Sequence, residues 1–418
     1  MSNDRPLRVL IVGAGIAGPA LALWLQRLGH SCTVIERWEA LRLGGQQIDI
    51  RRQGIEAVKR MGILDDIRDR VVDEAGFDFV NEKNQSILFF PRHEPGSKTQ
   101  SFSSEFEIMR GDLCRIMYEK TKEKVTYRFG LSVDSFENVG DVVKVKLSDG
   151  SLEEYDMLVG ADGQGSRIRR AINKDVGGDE QFLRSTGAFV AYYAIKRNAE
   201  DQDHASGIIG TQKRFVLTRW HSPDLGQVYL MTHGHADVIK AALKEDAPKQ
   251  KAVFADIFKT LRWNQIDRVI DAMDTTDDFY AHEVLQVRNK NWSTGRVVLL
   301  GDAGFCPSVM TGMGTTLALV GAYVLAGEIA KSKGDLNAAF TGYDATLRPY
   351  IDKWQVLSNT FGWIQPKTYV GLRVTNFVLW VAGKLGFPKL IEKWALKDEK
   401  EDWVMPRYEE LHAGEEPV

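Results

Sequence analysis

The chain has 418 residues, 44% hydrophobic and 27% charged, with a formal net charge of −3 and a pI near 6.3. That length implies two or three domains, and the weak net charge supplies no electrostatic footprint for nucleic acid. Three scattered cysteines, Cys32, Cys114 and Cys306, form no paired motif; this argues against a disulfide scaffold or a zinc site and fits a reducing, cytoplasmic setting. The opening MSNDRPLRVL runs directly into an apolar strand, so no secretion signal is expected, and no run of eighteen uncharged apolar residues predicts a spanning helix.

The first predicted unit is strand, turn, helix, strand. Val9 to Val12 leads into Gly13-x-Gly15-x-x-Gly18, a helix follows to Leu28 and Gly29, and the apolar strand Cys32 to Ile35 ends in Glu36. Gly13 permits the tight turn, Gly15 admits a pyrophosphate close to the backbone, and Gly18 lets helix and strand pack. The helix N-terminus then faces the phosphates, and Glu36 is placed to accept from ribose hydroxyls. The unit points to an ADP-containing dinucleotide and leaves NAD and FAD both open. Arg37 reads either as an adenosine contact or as an ordinary exposed arginine.

Further along, GGQQIDIRRQG (Gly44 to Gly54) is a polar loop, followed by a helix ending near Gly62. Phe77 to Phe90 and Phe102 to Ile108 alternate as strands around a turn-rich loop, His93 to Gln100, and Gly111 to Lys120 reads as a helix. Val125 to Phe129, Val133 to Phe136, Val142 to Leu147 and Leu152 to Tyr155 read as a meander, with a hairpin turn at Asp149-Gly150. Met157 to Gly160 is a buried strand leading into Asp162-Gly163. A β-rich region spans Thr186 to Thr232, a helical stretch spans Val253 to Val269, and the apolar strand Arg296 to Leu300 ends in Gly301-Asp302. Gly312 and Gly314 precede a long apolar helix, Thr316 to Ala330, and the remainder from Asp335 reads as helical. The strand-to-glycine transitions at 12/13, 159/160 and 300/301 are expected in one sheet around one cofactor.

GxGxxG, Asp162-Gly163 with Ser166 and Arg169, and Gly301-Asp302-Ala303 occur in the order found in FAD-dependent aromatic hydroxylases. Over nearly its whole length the chain resembles that single-component monooxygenase family, and in particular its tetracycline-inactivating members and their fungal secondary-metabolism relatives. The resemblance implies an α/β fold: a three-layer Rossmann-like FAD domain of parallel sheet plus β-meander, a second α+β substrate domain and a C-terminal bridging helical segment. It implies FAD-domain parts at 1–76, 104–182 and 283–332, substrate-domain parts at 77–103 and 183–282, and a helical region at 333–418. Asp302 would accept from the ribityl chain. Arg110, in Arg110-Gly-Asp-Leu113, would hold the ribityl and phosphate region. Asp49 would lie near the flavin, and Asp162 where FAD and the nicotinamide donor pass. Gly312, Gly314 and Thr315 would present backbone N–H groups to the ring. The chain departs from the family at Gly304-Phe305, at Val309 in place of a usual proline, and at Thr316 in place of a frequent asparagine.

Tyr192, Arg219 and Tyr229 fall at family positions that contact substrate. On the predicted hairpin, a five-residue loop at Ser222 to Gly226 puts Arg219 directly opposite Tyr229 on one face, whereas a four-residue loop separates them. Cross-strand packing is the competing role for these residues. As pocket residues they would orient a phenolate, enolate or carbonyl, with Arg219 favouring the ionised phenol. Cys306 reads as a small buried residue, and His233-Gly-His235 lacks a third ligand at metal spacing, so no metal is expected. From Gln365 to Lys397 the chain is apolar with spaced Lys and Arg. An amphipathic helix packing across both domains is the leading reading there, with a dimer contact or weak interfacial membrane contact as the alternatives.

The implied activity is insertion of one oxygen atom from O2 into a small aromatic, polyketide- or terpenoid-like molecule, through a flavin C4a-hydroperoxide. NADPH or NADH would be a transient reductant, since the chain has one dinucleotide fingerprint and no second. A flavin-dependent halogenase is disfavoured because none of the ten tryptophans sits in a Trp-x-Trp-x-Ile-Pro segment. A non-redox flavoprotein cyclase or isomerase is the other alternative, and monomer and dimer both remain open.

Overall fold

The structure, a computed structural model, describes residues 5–92, 105–357, 366–387 and 402–412. The turn-rich loop at 93–100, the start of the strand expected at 102–108 and the residues from 388 to 397 lie outside that range. Six strands form the first sheet, in the order β17 (Ser293–Thr294), β18 (Val297–Leu299), β11 (Met157–Gly160), β1 (Arg8–Val12), β2 (Ser31–Glu36) and β7 (Thr126–Phe129). All neighbours are parallel except the β17–β18 edge pair. β1, β11 and β18 are buried on both faces, which accounts for their apolar runs. On β1, Val9 and Ile11 face a helical layer, while Leu10 and Val12 join a second core. That second core lies under the antiparallel meander of β8 (Val133–Val139), β9 (Val142–Leu147) and β10 (Leu152–Tyr155).

The helical layer contains α1 (Ala17–Arg27), α2 (Gln53–Met61), α3 (Leu64–Arg68), α4 (Arg110–Thr121), α10 (Gly314–Lys331) and α11 (Leu336–Trp354). Every residue of α10 from Thr316 to Ile329 is buried, as expected of a helix apolar on all sides. No described helix is long and apolar enough to cross a membrane. The short α5 (Arg167–Asn173) and α9 (Asp302–Phe305) follow the glycine turns after β11 and β18.

The second sheet has seven strands: β16 (Tyr280–Val287), β12 (Leu183–Lys196), β15 (Leu225–Thr232), β14 (Arg214–Trp220), β13 (Ala205–Ile209), β4 (Gly76–Val80) and β5 (Ser86–Pro91). One face is covered by α6 (Ala236–Ala242), α7 (Ala247–Phe258) and α8 (Ile266–Thr275). Along β12, Phe189, Ala191 and Tyr193 meet those helices, and Ala188, Val190 and Tyr192 occupy the opposite face. That opposite face is met by Met310 and by Gln47 of a small ribbon, β3 (Gln47–Asp49) with β6 (Glu107–Met109). The helix α12 (Tyr369–Lys384) packs Leu372 and Leu379 into the cluster that includes Leu88 of β5.

Three expectations differ. The remainder from Asp335 is helical in α11 and α12, but residues 402–408 carry no helix and Glu409–Leu411 form only a 3-10 turn. The stretch Val125 to Phe129 is not part of the meander: β7 pairs in parallel with β2, and Tyr127 and Phe129 pack on the helical side. The helical stretch Val253 to Val269 is two helices, broken where Leu261 and Trp263 turn into the core and Trp263 donates to Asn84 at 3.2 Å.

Candidate active site

The chain runs from β1 through β2 to β7 on one side, whereas β11 and β18 flank β1 on the other. In open α/β sheets, ligands bind at the carboxyl ends of strands at such a reversal. Here the three glycine turns converge. Gly13 turns at φ +112° beside Ala161, and a Cβ on Gly18 would lie 2.1 Å from the Gly13 carbonyl oxygen, so helix and turn can approach only without a side chain. The N-terminus of α1 carries no side-chain cap and no acid in its first turn, leaving its N–H groups available to an anion. Arg110 closes this cradle. A Cβ on Gly15 would lie 3.2 Å from Arg110 Nη2, and Nη1 is buried without a hydrogen-bond partner. Glu36 accepts from the Ala14 N–H at 3.0 Å and the Trp38 N–H at 3.3 Å. Exposed Arg37 lies over the Trp38 ring at 5.6 Å.

Asp162 caps α5 by accepting from the Arg167 N–H at 2.7 Å, while its other oxygen is buried and unpaired. Burial pushes this carboxyl above its ordinary range. Arg169 ties the two later turns together. It donates to Asp179 at 2.8 and 3.0 Å, to the Gln164 carbonyl at 2.7 Å and to the Ala303 carbonyl at 3.0 Å. Asp302 opens α9, and a Cβ on Gly314 would lie 3.8 Å from its Oδ1. Burial raises the Asp302 carboxyl against the opposing pull of the Cys306 thiol, Arg110 and Arg169. Gly312, at φ +63°, lies against Asp49, whose Oδ2 accepts from Arg51 at 2.8 and 3.1 Å. Thr315 is in the first turn of α10, where Met313 supplies no side-chain cap. Thr316 does not face that opening: its hydroxyl accepts from Arg51 N–H at 2.9 Å and donates to the Arg51 carbonyl at 3.0 Å.

Across from this loop, one register row of the second sheet reads Tyr280, Tyr192, Tyr229, Leu217. The Tyr192 and Tyr229 rings meet edge to face at 4.8 Å, and Tyr192 stacks on His282 at 5.9 Å. Burial raises both tyrosine hydroxyls and lowers His282, so all three favour their neutral forms. Tyr229 donates to Gln227 Oε1 at 3.0 Å and accepts from the Gln47 N–H at 3.3 Å.

The expected hairpin register is corrected. Arg219 opposes Gln227, and Tyr229 opposes Leu217, because the turn closes at Trp220 and Gly226. A two-residue offset preserves the face, so Arg219 and Tyr229 are diagonal neighbours and not a directly opposed pair. Nor is Arg219 a free cation. Its guanidinium bonds Glu74 through Nε and Nη2, and Glu107 through Nη2 at 2.7 Å. The side chains of Glu74 and Glu107 are only 1% and 3% exposed. Glu107 also accepts from Gln47 Nε2 at 2.7 Å, and, besides burial, the nearby Asp49 carboxyl raises it. Three carboxyls, Glu74, Glu107 and Asp49, thus face two cations, Arg219 and Arg51. Protonating one carboxyl makes the cluster neutral, and an uncompensated buried charge is costly. That carboxyl is Glu107: burial raises it well above its ordinary value, and Asp49 and Glu74 raise it further against Arg219.

Glu107→Gln is therefore expected to fold, since an amide imitates the protonated acid. A carboxyl raised in the folded state makes stability fall with pH. The loss begins at the ordinary value of 4.5 and continues to the raised folded value, with a slope approaching about 1.4 kcal/mol per pH unit. The variant should lack this component. Thermal unfolding across a pH series measures it, and equal slopes for both proteins would place the proton elsewhere.

Glu74, Glu107, Gln47, Gln227, Tyr280 and His282 were not legible as site residues.

An FAD binding domain family model matches residues 6–336. The chain is 36% identical to the FAD-dependent monooxygenase asL4 of Sarocladium schorii over a 427-residue alignment covering 97% of this chain and 99% of that one. It is 39% identical to the flavin-dependent monooxygenase eupH of a Phoma species, covering 82% and 84% of the two chains. The crystal structure of the tetracycline destructase Tet(51) superposes with a TM-score of 0.75 at 26% identity, over 96% of this chain and all of that one. The chain belongs to the FAD binding domain family and is an FAD-dependent monooxygenase.

Proposed function

We propose that the enzyme inserts one oxygen atom from O2 into a small, electron-rich organic molecule, with NADPH or NADH as electron donor. A polyketide- or terpenoid-like compound of secondary metabolism fits the fungal relatives. The observation that carries this reading is the cradle at Gly15 and Arg110, the one such cradle among the described residues, facing a separate tyrosine wall on the second sheet. One cradle holds one resident dinucleotide, so the nicotinamide donor visits and leaves.

The residues fit FAD. The open N-terminus of α1 and the unpaired Nη1 of Arg110 suit a diphosphate. Glu36, with Arg37 alongside, suits the adenosine ribose. The buried Asp302 carboxyl suits the ribityl hydroxyls. The N–H groups at Gly312, Gly314 and Thr315 suit polar atoms of the ring; Asp49 would lie near the flavin, and Asp162 where FAD and the nicotinamide donor pass. Bound FAD supplies the electron transfer and oxygen activation. The protein's part is to exclude water and orient the substrate. Tyr192, neutral because burial disfavours phenolate, would orient a carbonyl by donating its hydrogen bond, while Tyr229, also neutral and already donating to Gln227, would accept from a substrate phenol. Arg219, held by the Glu74 carboxylate and the Glu107 carboxyl, acts here as a positioning residue for Tyr229 and Gln227, and not as the counter-ion of a substrate phenolate.

The test is a screen of phenolic polyketides and terpenoids for stimulated NAD(P)H consumption, with isotope from labelled O2 traced into the product. Product formed without NAD(P)H or O2 would identify a non-redox flavoprotein and end this reading. Asp302→Ala serves as the cofactor control. Losing a charged acceptor worth about 1.5–3 kcal/mol should weaken FAD binding roughly 10- to 150-fold, and unchanged affinity by flavin titration would remove Asp302 from the site.

A further inference from the structure

We propose that the outer face of α12 seats this enzyme on an anionic lipid surface. The helix has two apolar faces. Leu372 and Leu379 pack inward, and a Cβ on Gly383 would lie 3.1 Å from the Ile87 carbonyl oxygen, so the helix lies close on β5. Val370, Val374, Phe377 and Val378 point outward at i, i+4, i+7 and i+8 spacing, with Val370 73% and Phe377 63% exposed. Trp380, stacked on Phe377 at 6.2 Å, and Leu385 extend the same surface. A contiguous apolar patch of this kind marks an interaction site.

Charge selects the occupant. Residues 366–387 contain Lys367, Arg373 and Lys384 and no acid, in a chain whose net charge is −3. Arg262 over the Tyr369 ring at 4.6 Å is offset by Glu82, which accepts from the Tyr369 hydroxyl at 3.3 Å, so those three cations set the excess. A second copy docked through a two-fold axis would bring both sets of cations together with no acid on either helix to pair them. An anionic bilayer accepts the apolar face and attracts the basic flank at once, as interfacial helices do. The inference stands apart from the oxygen-transfer reading, because α12 contributes nothing to the cofactor cradle.

Flotation of the FAD-loaded enzyme tests it, with liposomes of phosphatidylcholine alone or mixed with phosphatidylserine. The enzyme should float with the mixed liposomes, and less so as salt rises. Phe377→Ser with Trp380→Ser should cut the bound fraction about tenfold, with flavin absorbance unchanged as the check on folding. Lys367→Glu, Arg373→Glu and Lys384→Glu together should abolish the preference for phosphatidylserine. No flotation, or flotation indifferent to the Phe377 and Trp380 changes, would overturn the proposal. So would a dimer in sedimentation that the same double variant dissociates, since a second copy would then be the occupant.

Discussion

Arg219→Met is expected to destabilise the protein by about 3–5 kcal/mol, the cost of breaking a buried ion pair from one side. Methionine replaces the apolar stem but leaves Glu74 and Glu107 without their shared cation, and both are almost wholly buried. Adding Glu74→Gln and Glu107→Gln should recover most of the loss, because amides need no counter-charge. Denaturant unfolding with parallel measurement of flavin content decides the matter. If Arg219→Met were as stable as the parent and lost only turnover, the guanidinium would be serving the substrate and the positioning role would be wrong.

Arg110→Met should weaken FAD binding by one to two orders of magnitude, as expected for a charged hydrogen-bonding partner worth about 1.5–3 kcal/mol. The FAD-free protein should respond with the opposite sign. In it, Nη1 of Arg110 is a buried donor without an acceptor, a condition that costs about 1–3 kcal/mol. Methionine removes that unsatisfied group while keeping the stem that packs near Gly45. Flavin-free Arg110→Met is thus expected to be at least as stable as flavin-free parent. Fluorescence titration with FAD and thermal unfolding of the stripped proteins read the two effects separately. Unchanged affinity would remove Arg110 from the diphosphate site. A destabilised apoprotein would show that the arginine holds the fold instead.

Much of the architecture was legible because it is local. The apolar run at Val9 to Val12, the spacing of Gly13, Gly15 and Gly18, and the acid at Glu36 constrain one βαβ unit within thirty residues. Backbone sterics alone demand glycine where Gly18 meets Gly13. The turns at Asp162-Gly163 and Gly301-Asp302 were likewise visible, each being the end of an apolar strand, and β11 lies beside β1 with β18 next to it in the same sheet. Tyr192 was placed by the family resemblance; a five-residue loop put Arg219 and Tyr229 on one face, and the observed register keeps that face because a face depends only on parity. Their pairing depended on how the Trp220–Gly226 turn closes, and several closures suit the same residues. The fate of Val125 to Phe129 was undecidable for a similar reason: a short apolar strand joins whichever sheet edge it reaches. Least legible was the ion cluster. Glu74, Glu107 and Arg219 are separated by 33 and 112 positions in a chain rich in charge, and nothing local distinguishes them from solvated side chains. Only the closing of the second sheet over the β3–β6 ribbon removes water from all of them together. That burial turns three ordinary charges into a mutually dependent group.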